Sequence, residues 1–516
     1  MSVDPQTASP SAVIARQDRI QVWSLPYLYV FIIGLGFLFT FFDIFDINVS
    51  FIQTCTQIVH GCLAGPPPGA TSLPPGTVEA SSLLGAPVLW NLIGYVVGAL
   101  ILSPLADRFG RRDMLLVTLI ITGIGSLFTA FVGDYNTFIV ARTITGIGIG
   151  ADLAIVNTYI NEVAPRNGRA KFTSLIFINS ALGAFLGIWI GLILTTPAGT
   201  FPAGLPFAQA VVDPKTGVFM GNGWRIMYIV GAALALIGIA LRVQLPESPR
   251  WLVSRGRVRE ADAVVRRMEN RASGGGATQL PQAMDEVPVQ AEAGKTAFAE
   301  IFSSPTYLGR VLLLLIMWLF AYVTVYSIAA GLTTILAALG YIPPEAGMIA
   351  AVGTLGFIAC ALFAYFFGER LERKYWLPIG AVLTLIGGIL IAEAGKAPSI
   401  GPQGPQVTGA VILAFAGAII LFFGFNIWVP ITYAWSTENF PTRARTTGFG
   451  IVDGIGHVGG GIGLVVIANS VLPNLGTQQN GVLYAFLLIG AFLVVAAIIA
   501  QFGISTRGKR LDVIAP

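Results

Sequence analysis

Charged side chains are scarce in this sequence. Asp, Glu, Lys and Arg together make up 11% of its 516 residues, where a water-exposed surface carries roughly a quarter or more. That shortage excludes a water-soluble globule. With 55% of the residues hydrophobic and a mean hydropathy of +0.76, the chain must face lipid. No metal-ligand cluster, nucleotide-binding loop or nucleophile beside an oriented base is present either, which argues against an embedded enzyme, and no cofactor is expected. Cysteine is nearly absent. Of the three, Cys360 falls in an apolar run and reads as a small buried residue, whereas Cys55 and Cys62 sit together on one side of the membrane. A disulfide and two free thiols are both open readings of that pair.

Long apolar runs, by contrast, are plentiful. A spanning helix takes about 20 residues at 1.5 Å each against a hydrocarbon core of about 30 Å. Twelve such windows run at 26–54, 83–105, 113–133, 137–161, 171–195, 223–243, 308–338, 346–368, 376–395, 408–436, 444–471 and 481–503. The polar start, Met1 to Gln21, does not resemble a cleavable signal peptide, so the first window is expected to remain as a span. All but four of the 30 Lys and Arg fall on the face that carries both termini. Arg142 lies inside a span, and Lys215, Arg225 and Lys396 fall on the other side. By the positive-inside rule the basic face is cytoplasmic, which predicts a multi-pass plasma-membrane protein with both termini inside. The net charge of +4 therefore reflects topology and gives no support to nucleic-acid binding.

The chain divides into residues 1–243, a linker at 244–305 and residues 306–516. The linker holds a charge-alternating helical stretch, Arg257 to Arg271, and a flexible run, Ser273 to Gly276. The flanking segments repeat each other. Glu162, Pro165 and Arg169 follow the fourth window as Glu-x-x-Pro-x-x-x-Arg, and Glu438, Pro441 and Arg445 follow the tenth in the same spacing. Asp107 to Arg112 after the second window is answered by Glu369 to Lys374 after the eighth.

On these residues the sequence resembles the major facilitator superfamily over nearly its whole length. Leu105, Asp107, Arg108, Gly110, Arg111 and Arg112 match the loop signature, with Ser103 in place of its usual Gly. Pro246 to Leu252, including Glu247, Arg250 and Trp251, is similar to the signature that ends the sixth span of sugar porters. The resemblance implies an all-α integral membrane fold, twelve transmembrane helices in two pseudo-symmetric six-helix bundles. It also implies a cytoplasmic gate made of Asp107, Arg108, Arg111, Arg112, Glu162, Arg169, Glu247, Arg250, Glu438 and Arg445, in which carboxylates and guanidinium forks pair in one state and part in another.

Polar groups at membrane depth are costly, about 2.5–3.5 kcal/mol for a charge at a helix centre, so they need a partner or a cavity. Here they are Asp43, Asp46, Arg142, Asp152, Asp453 and His457. Counting along the windows puts Asp43, Asp46, Asp152 and His457 at roughly one level. Asp43 and Asp46 are three apart on one helix face, where burial and like-charge repulsion suit at least one of them to carrying a proton. Arg142 is ten residues from Asp152, about 15 Å along the helix, too far to pair with it there. Asp43, Asp46 and the Arg142 to Asp152 stretch resemble metabolite:proton symporters, including phosphate:proton symporters. That resemblance implies protons on the three acids and substrate at His457.

Tyr322 stands where the phosphate family has an acid, and the seventh window lacks the glutamines and asparagine that bind hexose. Phosphate and hexose thus each lack part of their expected site. Polar and aromatic candidates to touch solute are Trp90, Asn91, Tyr95, Asn157, Asn179, Tyr322, Tyr326, Asn426 and Tyr433. The prediction is a transporter, monomeric, that moves a sugar, polyol or organic acid together with protons. A proton-coupled antiporter and a non-transporting solute sensor are the alternatives.

Overall fold

The computed structural model describes residues 9–63, 74–213, 218–275, 279–283, 296–339, 341, 343–395, 400–401, 404–475 and 480–515. Lys215, Lys396 and part of the linker lie outside the described residues. Among the described residues twelve helices are long and apolar enough to cross a bilayer: Tyr27–Ile58, Ser82–Phe109, Arg111–Phe131, Tyr135–Val163, Arg169–Thr195, Gly223–Arg242, Pro305–Ala329, Pro344–Phe367, Arg373–Ala394, Gly409–Glu438, Thr442–Val471 and Gly481–Ala500. They are numbered here as the first to twelfth spans. All backbone groups of a lipid-embedded segment must be satisfied internally, which is why apolar runs of this length become helices. Among the described residues the strands are two-residue pairs in loops, such as Cys62–Leu63 beside Val78–Glu79. A disulfide joins Cys55 to Cys62 at the end of the first span, with the Cα atoms 5.9 Å apart.

The packing repeats. The first span packs on the fifth, the second on the fourth, and the third on the fourth and sixth. In the same way the seventh packs on the eleventh, the eighth on the tenth, and the ninth on the tenth and twelfth. The two bundles meet along two seams, second span on eleventh and fifth on eighth, and a half-turn exchanges one seam for the other. Close approach within a bundle relies on small residues. A side chain at Gly183 in the fifth span, for example, would collide with the Leu38 carbonyl of the first.

The seventh window departs from its predicted form. The stretch 308–338 is not one helix: it stops at Ala329, and a short helix, Leu332–Ala338, follows. Asn48 of the first span fills the break. Its Nδ2 donates to the Ala329 carbonyl at 2.7 Å and its Oδ1 accepts from the Thr333 N–H at 3.3 Å. Freed backbone groups at membrane depth persist only where protein satisfies them in this way.

On the basic face, helix Pro249–Ser254 and helix Val258–Ala272 lie across the ends of the spans. Arg250 binds both Asp18 at 2.5 Å and Asp512 at 3.0 Å, which brings the two terminal segments to one face.

Candidate functional site

At mid-depth the bundles enclose a chamber of about 20 Å³, lined by Phe41, Phe45, Tyr322, Tyr326, Tyr433 and His457, with Asn426 among its few polar walls. It has room for about one water, so the walls of the two bundles nearly meet there. Tyr95 of the second span and Tyr322 of the seventh both donate to the Asp453 carboxylate, to Oδ2 and Oδ1, each at 2.5 Å. One buried carboxylate thus ties the two bundles together. His457, a turn further on, stacks on Tyr95 with ring centroids 3.8 Å apart and lies 3.7 Å from the Tyr322 ring. Its Nδ1 is 2.7 Å from the Asp453 carbonyl. A carbonyl only accepts, so Nδ1 carries the hydrogen and Nε2 of the neutral ring is an acceptor.

A second buried group belongs to the first bundle alone. Arg142 Nη1 donates to Asp43 Oδ1 at 2.7 Å and Nη2 to the Asp43 carbonyl at 3.1 Å, above the Tyr228 ring at 5.4 Å. Asp46 is fully buried, and neither of its carboxylate oxygens has a hydrogen-bond partner among the described residues.

Nearer the basic face, Asp152 is occupied. Arg242 binds its carboxylate, and Thr118 donates to it at 2.7 Å. A side chain at Gly36 of the first span would collide with both Asp152 and Arg242, so glycine there is what lets the ion pair close.

The basic face is sealed by contacts that come in pairs. Glu162 accepts from Arg111 of its own bundle at 3.1 Å and from Arg445 of the other at 3.3 Å. Glu438 faces Arg373 of its own bundle at 3.5 Å and Arg169 of the other at 3.6 Å. Asp107 accepts from Thr447 at the start of the eleventh span, from N at 2.9 Å and Oγ1 at 2.6 Å. Glu369 accepts from Ala170 N at 2.8 Å and Lys171 N at 3.3 Å at the start of the fifth. An acid at a helix N-terminus meets unsatisfied N–H groups and the positive end of the helix dipole.

Glu247 plays the same part within the first bundle. It accepts from the N–H groups of Arg111 at 3.1 Å and Arg112 at 3.2 Å. Gly110, at φ 115°, makes room for it, since a Cβ there would strike the carboxylate. Burial raises the Glu247 pKa, against the pull of the Ser248 N–H and Arg111.

The profile of the family described as "Sugar (and other) transporter" matches residues 35–515. The chain belongs to this family. The niacin transporter NiaP of Acinetobacter baylyi is 25% identical over 97% of this chain and 99% of its own length. The 4-hydroxybenzoate transporter PcaK of Pseudomonas putida is 29% identical over 81% and 83%, and the D-xylose transporter of Levilactobacillus brevis is 27% identical over 69% and 71%. Among solved structures, the major facilitator superfamily proton:xylose symporter XylE, bound to 6-bromo-6-deoxy-D-glucose, superposes with a TM-score of 0.66 at 20% identity, covering 98% of each chain. The shared fold is therefore the major facilitator fold, and the protein is an integral multi-pass membrane transporter rather than an enzyme.

Several sequence expectations for this transporter take a different form in the structure. Asp152 does not join Asp43 and Asp46 in one group; it pairs with Arg242. Its partner Arg242 follows from the sixth span packing on the third and first, which spacing within one helix cannot reveal. Arg242 itself is fully buried, although it counts among the basic-face arginines by sequence. Arg142 finds Asp43 instead. Trp90 is 47% exposed on the outside of its helix and cannot touch solute. Asn91 and Asn157 are engaged by the backbone, at Arg142 O and Leu153 O. Arg108 points out of the seal, its guanidinium 5.4 Å over the Phe109 ring, while Arg112 reaches the Val243 carbonyl at 2.7 Å. Glu369 and Arg373, quoted only as part of a repeat, are full members of the seal, and their match to Asp107 and Arg111 was the available signal.

Proposed function

We propose that this transporter carries a small organic acid together with protons, by alternating access between the state described here and one open on the basic face. The observation that carries the reading is Asp46. A carboxyl fully buried beside the Asp43–Arg142 pair, with no hydrogen-bond partner for either oxygen among the described residues, is far less costly protonated than ionised. Release of that proton needs water, and water needs an open gate. The basic face is read as cytoplasmic, in the plasma membrane, and the unit of function as a monomer enclosing its own chamber.

An organic acid, a planar aromatic one above all, suits the chamber walls better than a sugar. The rings of Phe41, Phe45, Tyr322 and Tyr433 offer stacking faces. The polar walls are few: His457, Asn426 and phenols already engaged with Asp453 and with each other. A pentose would require partners for several hydroxyls at once. The relatives named for niacin and 4-hydroxybenzoate support this choice, and the relative named for D-xylose keeps a sugar as the second reading.

The test is uptake into proteoliposomes under an imposed proton gradient, with benzoate-type acids and pentoses compared. Gradient-driven accumulation of a ring acid is expected. Asp46→Asn should abolish accumulation and preserve counterflow exchange, because exchange does not require proton release. Undiminished accumulation in Asp46→Asn would overturn the proton assignment, and accumulation of pentose alone would overturn the acid.

A further inference from the structure

A cavity of about 420 Å³ opens on the basic face, apart from the chamber and beside the Glu247 cluster. It lies where the chain enters the first span near Tyr29 and leaves the sixth at Val243, and helix Val258–Ala272 covers it with Val264, Arg267 and Arg271. Its volume falls in the ~300–1,000 Å³ range of small-molecule sites. Among the described residues Arg112, Arg267 and Arg271 line it, and no carboxylate does.

The surrounding arginines show what is unusual here. On the same helix Arg266 is paired with Asp262 at 2.7 Å, and Glu269 is taken by Arg16 of helix Pro10–Asp18 and by Arg19 just after it. Arg267 and Arg271 have no ion-pair partner among the described residues. Arg112 spends one donor on Val243, and its Nε is buried with no partner among the described residues. Three guanidinium groups facing one cavity, with no carboxylate among its described lining residues, repel each other, and a bound anion would reduce that repulsion.

The rim identifies the kind of anion. Tyr27 and Leu28, between the lining residues Pro26 and Tyr29, and Val243 in the lining itself are each half or more exposed, at the ends of spans where the bilayer surface must lie. A phosphate meets guanidinium forks through paired hydrogen bonds, and basic pockets between helix ends at a membrane surface suit acidic headgroups.

We propose that this cavity binds the headgroup phosphate of an anionic phospholipid, with its acyl chains along the apolar rim. The lipid bridges the linker helix Val258–Ala272 to the ends of the first, third and sixth spans. Charge complementarity and the adjoining lipid-facing side chains argue for a phospholipid over a free anion.

The test is thermal unfolding of the purified full-length protein in detergent, with phosphatidylglycerol, phosphatidylcholine or inorganic phosphate added. A ligand that binds the native state raises the melting temperature by mass action. Phosphatidylglycerol should raise it and phosphatidylcholine should not. Arg267→Ala with Arg271→Ala should lose most of that shift, and because both side chains are exposed the variant should melt normally without lipid. Native mass spectra of the same two proteins should show phosphatidylglycerol retained by the parent and lost from the variant. An equal phosphatidylglycerol shift in the variant would overturn the site. The full shift from inorganic phosphate alone would overturn the lipid.

Discussion

The basic-face seal can be weakened without disturbing its packing by Asp107→Asn with Glu369→Gln, which keep the shape of each side chain and remove its charge. Asp107 engages Thr447 through two hydrogen bonds at the head of the eleventh span, and Glu369 engages Ala170 and Lys171 at the head of the fifth. Across the interface each site loses a charge–dipole term and the charge assistance of its hydrogen bonds, about 1–2 kcal/mol; the ion pairs Asp107–Arg111 and Glu369–Arg373, also weakened, lie within one bundle each, where Arg111 and Arg373 keep Glu162 and Glu438. The hydrogen bonds cross between bundles and exist only while the seal is shut. The pair of changes therefore shifts the closed-to-open equilibrium by about 2–4 kcal/mol, roughly 30-fold to 10³-fold. Thr437 is a suitable reporter, since it is fully buried between the bundles near the seal and accepts from Asn161 Nδ2 of the other bundle at 2.7 Å. A Thr437→Cys background with Cys360→Ala, in nanodiscs, should be alkylated slowly by a polar maleimide, and the double variant should be alkylated faster by a large fraction of that factor. Unchanged alkylation in a double variant with a normal melting temperature would refute the capping argument.

Two further outcomes are expected. Asp152→Asn leaves Arg242 buried without a counter-charge, which costs about 3–5 kcal/mol; thermal unfolding should show a large loss of stability, and any folded fraction should keep the parent's proton dependence of uptake. Asn48→Leu leaves the Ala329 carbonyl and the Thr333 N–H unsatisfied at the break in the seventh span, about 1–3 kcal/mol each. That penalty falls on the face opposite the seal, so accessibility should rise there and not on the basic face, as cysteine labelling from each side can measure.

The twelve spans were legible because hydropathy is a one-dimensional property and survives without knowledge of neighbours. The repeated Glu-x-x-Pro-x-x-x-Arg motif was legible for the same reason, as a pattern along the chain. Partner choice was not. Within one helix Arg142 and Asp152 are too far apart, yet across helices each has a partner, Asp43 and Arg242, that only packing supplies. Likewise the sequence shows Glu162 beside Arg169 and Glu438 beside Arg445, while the structure crosses them, Glu162 with Arg445 and Glu438 with Arg169. The break at Ala330–Gly331 escaped because its flanks are apolar on both sides, and its cause, Asn48, is 280 residues away in sequence from Ile328, one of the carbonyls it reaches.

The crossed contacts have a consequence beyond gating. An interface in which each surface offers the partner what the partner offers it is the form taken by a two-fold homodimer, and two copies of a six-span chain could close a seal of this kind with no residue changed. Joining the copies frees each to diverge, yet the seal keeps its symmetry and the centre does not: Asp43 with Arg142 in one bundle has no mirror in the other, where Asp453 meets Tyr95 and Tyr322. Departures from the rotation are thus a map of specialisation, and in this chain they fall on the groups that would meet solute and proton.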